Sequence, residues 1–139
     1  MSPEPPPDVV LVEGLPGGLR GCYVTDGEAA VIAVDRNLPP AERDAVIAHE
    51  QAHHERGGSG HRADAPPGWG AVVAREEARV ERLVAERLAP DPVVHQVVRR
   101  LGDLGEAVTA EGVADELGVA RSVAHQALRR LQEQERGRR

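Results

Sequence analysis

The sequence has no lysine and no phenylalanine, a single cysteine, and only two large aromatic side chains, Tyr23 and Trp69. A core without phenylalanine must be assembled from Val, Leu, Ile and Ala, which bury less apolar area per residue than aromatic rings do. Such a chain gains stability from a bound metal or a partner. All 17 basic residues are arginine, and Ala, Gly, Pro and Val are abundant, a bias that reflects GC-rich codon usage rather than function. The lone Cys22 excludes an internal disulfide and suits a reducing compartment. The opening MSPEPPPDVV has neither the basic start nor the apolar run of a signal peptide. No segment approaches the roughly 20 apolar residues of a membrane span, so a cytoplasmic protein with no membrane partner is expected.

The 139 residues make room for one domain, or one small domain with an appendage. The net charge of −6 is unevenly spread: residues 1–92 carry 9 Arg against 16 acids, and residues 93–139 carry 8 Arg against 7. Different partners are expected for the two parts.

Residues 1–8 are Pro-rich and predicted to be disordered. VVLVE then reads as a short strand ending at the Gly14 to Gly18 turn, and LRGCYV and AAVIAV flank TDGE. An Asp-Gly pair between two β-prone runs predicts a hairpin, so a small antiparallel sheet of two or three strands is expected. Pro39 and Pro40 mark a helix start, with Glu42 and Asp44 in its first turn, and the helix should run from about Pro40 to Arg56. A Gly- and Pro-rich loop leads to a second helix, Ala71 to Ala89, stopped by Pro90 and Pro92. Three shorter helices follow, at about Val93 to Leu101, Ala110 to Leu117 and Ala120 to Glu133. The fold class expected is α+β: a tail at 1–8, a minimal domain at 9–92 and a helical segment at 93–139.

AVIAHEQAHHERG, residues 45–57, places three of the six histidines on one helix. His49 and His53 are four apart, so they lie about 40° apart on one face, one turn above the other, and both can reach one metal ion. With Glu50 the segment is an HExxH pattern, in which the histidines hold zinc and the glutamate serves as general base. The plainer alternative is a solvated face rich in Glu, His and Arg, and His54 and Glu55 are read as surface residues. A third protein ligand is needed. The metzincin pattern would want Gly at 56 and His at 59, where Arg56 and Ser59 stand. A glutamate from the second helix is the other solution. On a helical wheel Val73, Val80, Val84 and Leu88 fall within about 60° of Glu77, yet Glu76 is almost as inward. Glu81, one turn on, can accept the free N–H of a ligand histidine.

LPGGLRG, TDG, AERDAVIAHEQAHHERG and REEARVERLVAERLAP, in that order and at these spacings, resemble the ImmA/IrrE-like zinc metallopeptidases, in particular their short actinobacterial members. The resemblance covers about residues 11–90. It implies that the third ligand is Glu77, in a frame that continues with Val80 and Glu81. Two positions depart from the family: Gln51 stands where an apolar residue is usual, and Glu81 where Asp or Asn is. The resemblance also implies zinc-dependent cleavage of a cytoplasmic protein, typically a transcriptional repressor. Tyr23 and His61 are candidates to stabilise an oxyanion, beside plainer structural readings of each.

TAEGVADELGVARSVAHQALRRLQ has the grammar of a helix-turn-helix: small Ala114 at a crossing, Gly118 for a left-handed turn, Val119 entering the core, and Val123, Ala127 and Leu131 burying the second helix. Thr109 suits an N-cap, although Gly112 replaces the acid of a full capping box. Arg121, Ser122, His125, Gln126 and Arg129 would then face outward as candidate DNA contacts. The plainer reading is a helical bundle without nucleic acid. A rival to the peptidase is therefore a DNA-binding regulator whose metal site is vestigial or sensory.

Overall fold

The computed structural model describes residues 7–25, 28–56 and 67–138. The Pro-rich start up to residue 6, the Asp26-Gly27 pair and the loop carrying His61 lie outside the described residues. The architecture is α+β, with strands β1 (Asp8–Val12), β2 (Gly21–Thr25) and β3 (Ala30–Asp35) followed by helices α1 (Pro40–Glu55), α2 (Gly70–Leu88), α3 (Asp91–Asp103), α4 (Ala110–Leu117) and α5 (Arg121–Gly137). The chain divides into two compact units, Met1–Val80 and Glu81–Arg139.

In the first unit the three strands form one sheet in the order β1-β3-β2. β2 and β3 pair antiparallel, Tyr23 opposite Ile32, as the hairpin reading requires. β1 pairs parallel to β3, Val10 beside Ala33, so the sheet is mixed and the expected all-antiparallel sheet is corrected. The cause is the path after β1. A 3-10 turn at Pro16–Gly18, with Gly14, Gly17 and Gly18 at positive φ, redirects the chain so that β2 lies two strand positions from β1, and β3 returns between the two. The alternation of β3 puts Ile32 and Val34 in the core, both fully buried, and Leu38, Val46 and Ile47 pack on them with Tyr23.

Helix α1 starts where Pro40 fits the first turn, with Glu42 near the positive end of the helix dipole. It buries Ala48, Ala52 and His53. Contact with the sheet is close: a Cβ added to Gly21 would stand 2.3 Å from Val46 Cγ1. Arg20 and Glu42 form an ion pair between the start of β2 and this helix.

In the second unit α3 opens at Pro90 with Pro92 in its first turn, where the missing N–H costs nothing, so this helix begins two residues before the expected Val93. Leu101, Val113, Ala114 and Ala124 form its core, with Val97, Ala110, Leu117, Val119 and Leu128 packed around them. Thr109 caps α4 by accepting the Gly112 N–H at 3.0 Å. Gly118, at φ 68° and ψ 33°, ends α4 in the left-handed region, and three residues carry the chain into α5. Helix α5 buries Val123, Ala124, Ala127 and Leu131 and continues to Gly137, because Gln, Glu and Arg in its last turns are good helix formers. No helix of the described residues is long and apolar enough to cross a membrane.

Candidate metal centre

Helix α1 aims two imidazoles along one face. His53 is 6% exposed, seated beside the fully buried Ala52, and His49 lies one turn before it, half-buried. Helix α2 delivers the third group. Arg56, just past the end of α1, forms a two-pronged pair with Glu76, its Nη2 donating to Oε2 at 3.0 Å. That hydrogen bond holds the Glu76 carboxyl below its ordinary range and raises the guanidinium. With Glu76 engaged there, its neighbour Glu77 turns inward and is 9% exposed. Glu76 and Glu77, which the helical wheel leaves open, are thereby given separate roles.

His49, His53 and Glu77 bring one ligand atom each into a cluster that can hold a metal ion. His53 Nε2 is 3.2 Å from His49 Nε2 and 3.0 Å from Glu77 Oε1, and His49 Nε2 is 3.3 Å from Glu77 Oε2. Two imidazole nitrogens and one carboxylate oxygen are a donor set that suits zinc. Ligand atoms about 2.0–2.1 Å from a tetrahedral ion stand about 3.3 Å from one another, close to the 3.2 Å between the two nitrogens and to the 3.0 and 3.3 Å that separate each nitrogen from its own oxygen of Glu77. A carboxylate buried to this degree needs a cation or N–H donors, and the two imidazoles line up to serve either arrangement.

The other residues singled out in the sequence fall at various distances from this cluster. Glu50 follows His49 on α1 and is half-buried, with no hydrogen bond or ion pair among the described residues. Glu81 is exposed and is not among the residues brought together. Tyr23 is buried at 7% exposure, and its hydroxyl shares a 2.7 Å hydrogen bond with His54 Nδ1. The rings stand 5.5 Å apart at 47°. His54 is thus half-buried and tied to the sheet, which corrects its reading as a surface residue. His61 lies outside the described residues. On α5, Arg121, Ser122, His125 and Arg129 are exposed and Gln126 is half-buried.

Two supporting contacts escape sequence reasoning altogether. The Arg56–Glu76 pair spans 20 residues, and Arg130 reaches back 39 residues to Asp91 while donating to the Ala89 carbonyl at 2.8 Å. Neither has a local signal, since each depends on which helix lies beside which. Comparison with protein-family models, with curated proteins and with solved structures gave no match.

Proposed function

We propose that this protein is a zinc-dependent metallopeptidase of the kind its sequence resembles, the ImmA/IrrE-like enzymes, with His49, His53 and Glu77 as the metal ligands. One observation carries the reading: the two Nε2 atoms and the carboxylate are mutually 3.0–3.3 Å apart, the nitrogens being as close to each other as to the oxygens. A carboxylate that merely accepted two N–H groups would not need the two nitrogens to converge as well. Zinc held there would lower the pKa of a water toward neutrality and polarise a substrate carbonyl.

The chain's own residues supply the rest. The Glu50 carboxylate takes a proton from the attacking water and delivers it to the leaving amine. Glu77 balances the cation's charge and keeps α2 against α1. Among the described residues β2 is an outer strand of the sheet and is tied to α1 through Tyr23 and His54, so an extended substrate added beside it would run along the helix that bears the ligands. The substrate class is a cytoplasmic protein cut at one peptide bond, and a transcriptional repressor is the first to try.

Elemental analysis of purified wild type should find about one zinc per chain, lost in His53→Ala and in Glu77→Ala. Glu50→Gln should keep its zinc and lose about 10²- to 10⁴-fold in cleavage rate on a genuine substrate. Metal-free wild type that cannot be reconstituted with added zinc would reduce the cluster to an imidazole–carboxylate hydrogen-bond network.

A further inference from the structure

We propose that the second unit binds duplex DNA through the exposed face of α5. The α4–α5 pair has the parts of a reading motif: a capped first helix, a three-residue turn through left-handed Gly118, and a second helix anchored by Val123, Ala124, Ala127 and Leu131. What points to a nucleic-acid partner is how the helix sorts its charges. Arg130, on the flank, is locked to Asp91 and the Ala89 carbonyl, and Gln134 donates to the same aspartate at 2.9 Å. This clamp fixes the rotation of α5 about its axis. Arg121 and Arg129 remain exposed, with no hydrogen bond or ion pair among the described residues.

From Arg121 to Gln132 the helix has no carboxylate. Arg121, Ser122, His125 and Arg129 share its exposed side, and every one can donate a hydrogen bond to a phosphate or a base edge. The acids of α4 are Glu111, Asp115 and Glu116, and those of α5 come only in its last turns, at Glu133, one turn beyond Arg129, and Glu135. Glu116 is in turn neutralised by Arg100. No side chain caps the start of α5, so the first N–H groups of the helix add to the pull on an anion where Arg121 and Ser122 lie. A protein face recognised by this helix would need an acidic complement, whereas the phosphate backbone supplies one at every step.

The chain's net charge of −6 makes the test sharp, because attraction to DNA cannot come from the protein as a whole. Fluorescence anisotropy of the full chain with a labelled duplex of about 20 base pairs should show binding near roughly 50 mM salt that weakens about tenfold by roughly 200 mM, as about two phosphate contacts require. Arg121→Ala with Arg129→Ala should weaken binding tenfold or more. Arg82→Ala with Arg99→Ala removes the same charge from exposed positions on α2 and α3 and should change it less than twofold. All four positions are exposed, so circular dichroism should show an intact fold in both double variants. His53→Ala, which tests the metal site, should leave DNA binding in place. No binding by wild type at low salt, equal loss in both double variants, or tighter binding to single-stranded RNA of the same length would each overturn the proposal.

Discussion

Glu76 and Glu77 are adjacent in the sequence and do opposite work. Glu76, about a third exposed, closes an ion pair with Arg56 in partial contact with water, whereas Glu77 is carried 100° round the helix to the buried side, where only a cation or N–H donors can compensate its charge. The Tyr23–His54 contact is a second case in which one atom decides a residue's role. Tyr23→Phe keeps the ring in the core and deletes only the hydroxyl, leaving half-buried His54 Nδ1 without that 2.7 Å partner. Urea unfolding should register a loss of about 1 kcal/mol. An unchanged midpoint would show that water replaces the hydroxyl at no cost. These roles were readable in the sequence to different extents. The four-residue spacing of His49 and His53 fixes their common face, because a helix has a period. The choice of Glu77 over Glu76 rests on the Arg56 contact, and the partner of His54 lies 31 residues away in another element.

At the scale of elements, the helices were legible because each carries its own boundaries. Pro40 starts α1, Thr109 caps α4 and Gly118 ends it, and these local signals do not depend on the neighbours. The strands were legible one by one, but their order was not. Alternation shows that a segment is a strand without showing what it pairs with, and β1 lies parallel to β3 only because of the route taken between Val12 and Gly21. The seating of α1 on the sheet likewise depends on one residue without a side chain. Gly21→Ala would place a methyl 2.3 Å from Val46 Cγ1, and a β-branched valine in a helix has almost no other rotamer to offer, so α1 itself must move. The expected cost is about 1–3 kcal/mol. Because α1 bears His49 and His53, the proposed zinc site predicts that the variant releases the metal to a chelator more readily than wild type. Gly102→Ala is the matching control, since an added Cβ there meets nothing within 4 Å inside α3, and it should be neutral or stabilising by up to about 1 kcal/mol. Equal thermal midpoints for the two variants would refute the close approach at Gly21.

For the whole molecule, charge follows the division into units. Residues 1–80 hold 7 Arg against 13 acids, and residues 81–139 hold 10 of each. The first unit thus carries the entire excess of negative charge, a field that favours a divalent cation, while the second is neutral overall, with the first three turns of α5 free of carboxylates. Within that second unit Asp91 is the acceptor on which α5 is fixed. Its carboxyl is held below the ordinary aspartate value, first by the Gln134 hydrogen bond and then by Arg130, against an opposing effect of burial. A carboxylate so depressed stabilises the fold fully above about pH 4, and the contribution is lost as pH falls through the folded-state value. Asp91 is 35% exposed, so solvent screening keeps the effect under about 1 kcal/mol. Asp91→Asn should therefore be slightly less stable than wild type near neutrality, with the difference closing as the pH is taken well below about 4, where the wild-type carboxyl is protonated too. Urea unfolding of both proteins from about pH 7 to about pH 3 measures that gap directly. A gap that persists unchanged in acid would mean that Asp91 holds Arg130 and Gln134 through shape and neutral hydrogen bonds alone, and that the clamp on α5 owes nothing to its charge.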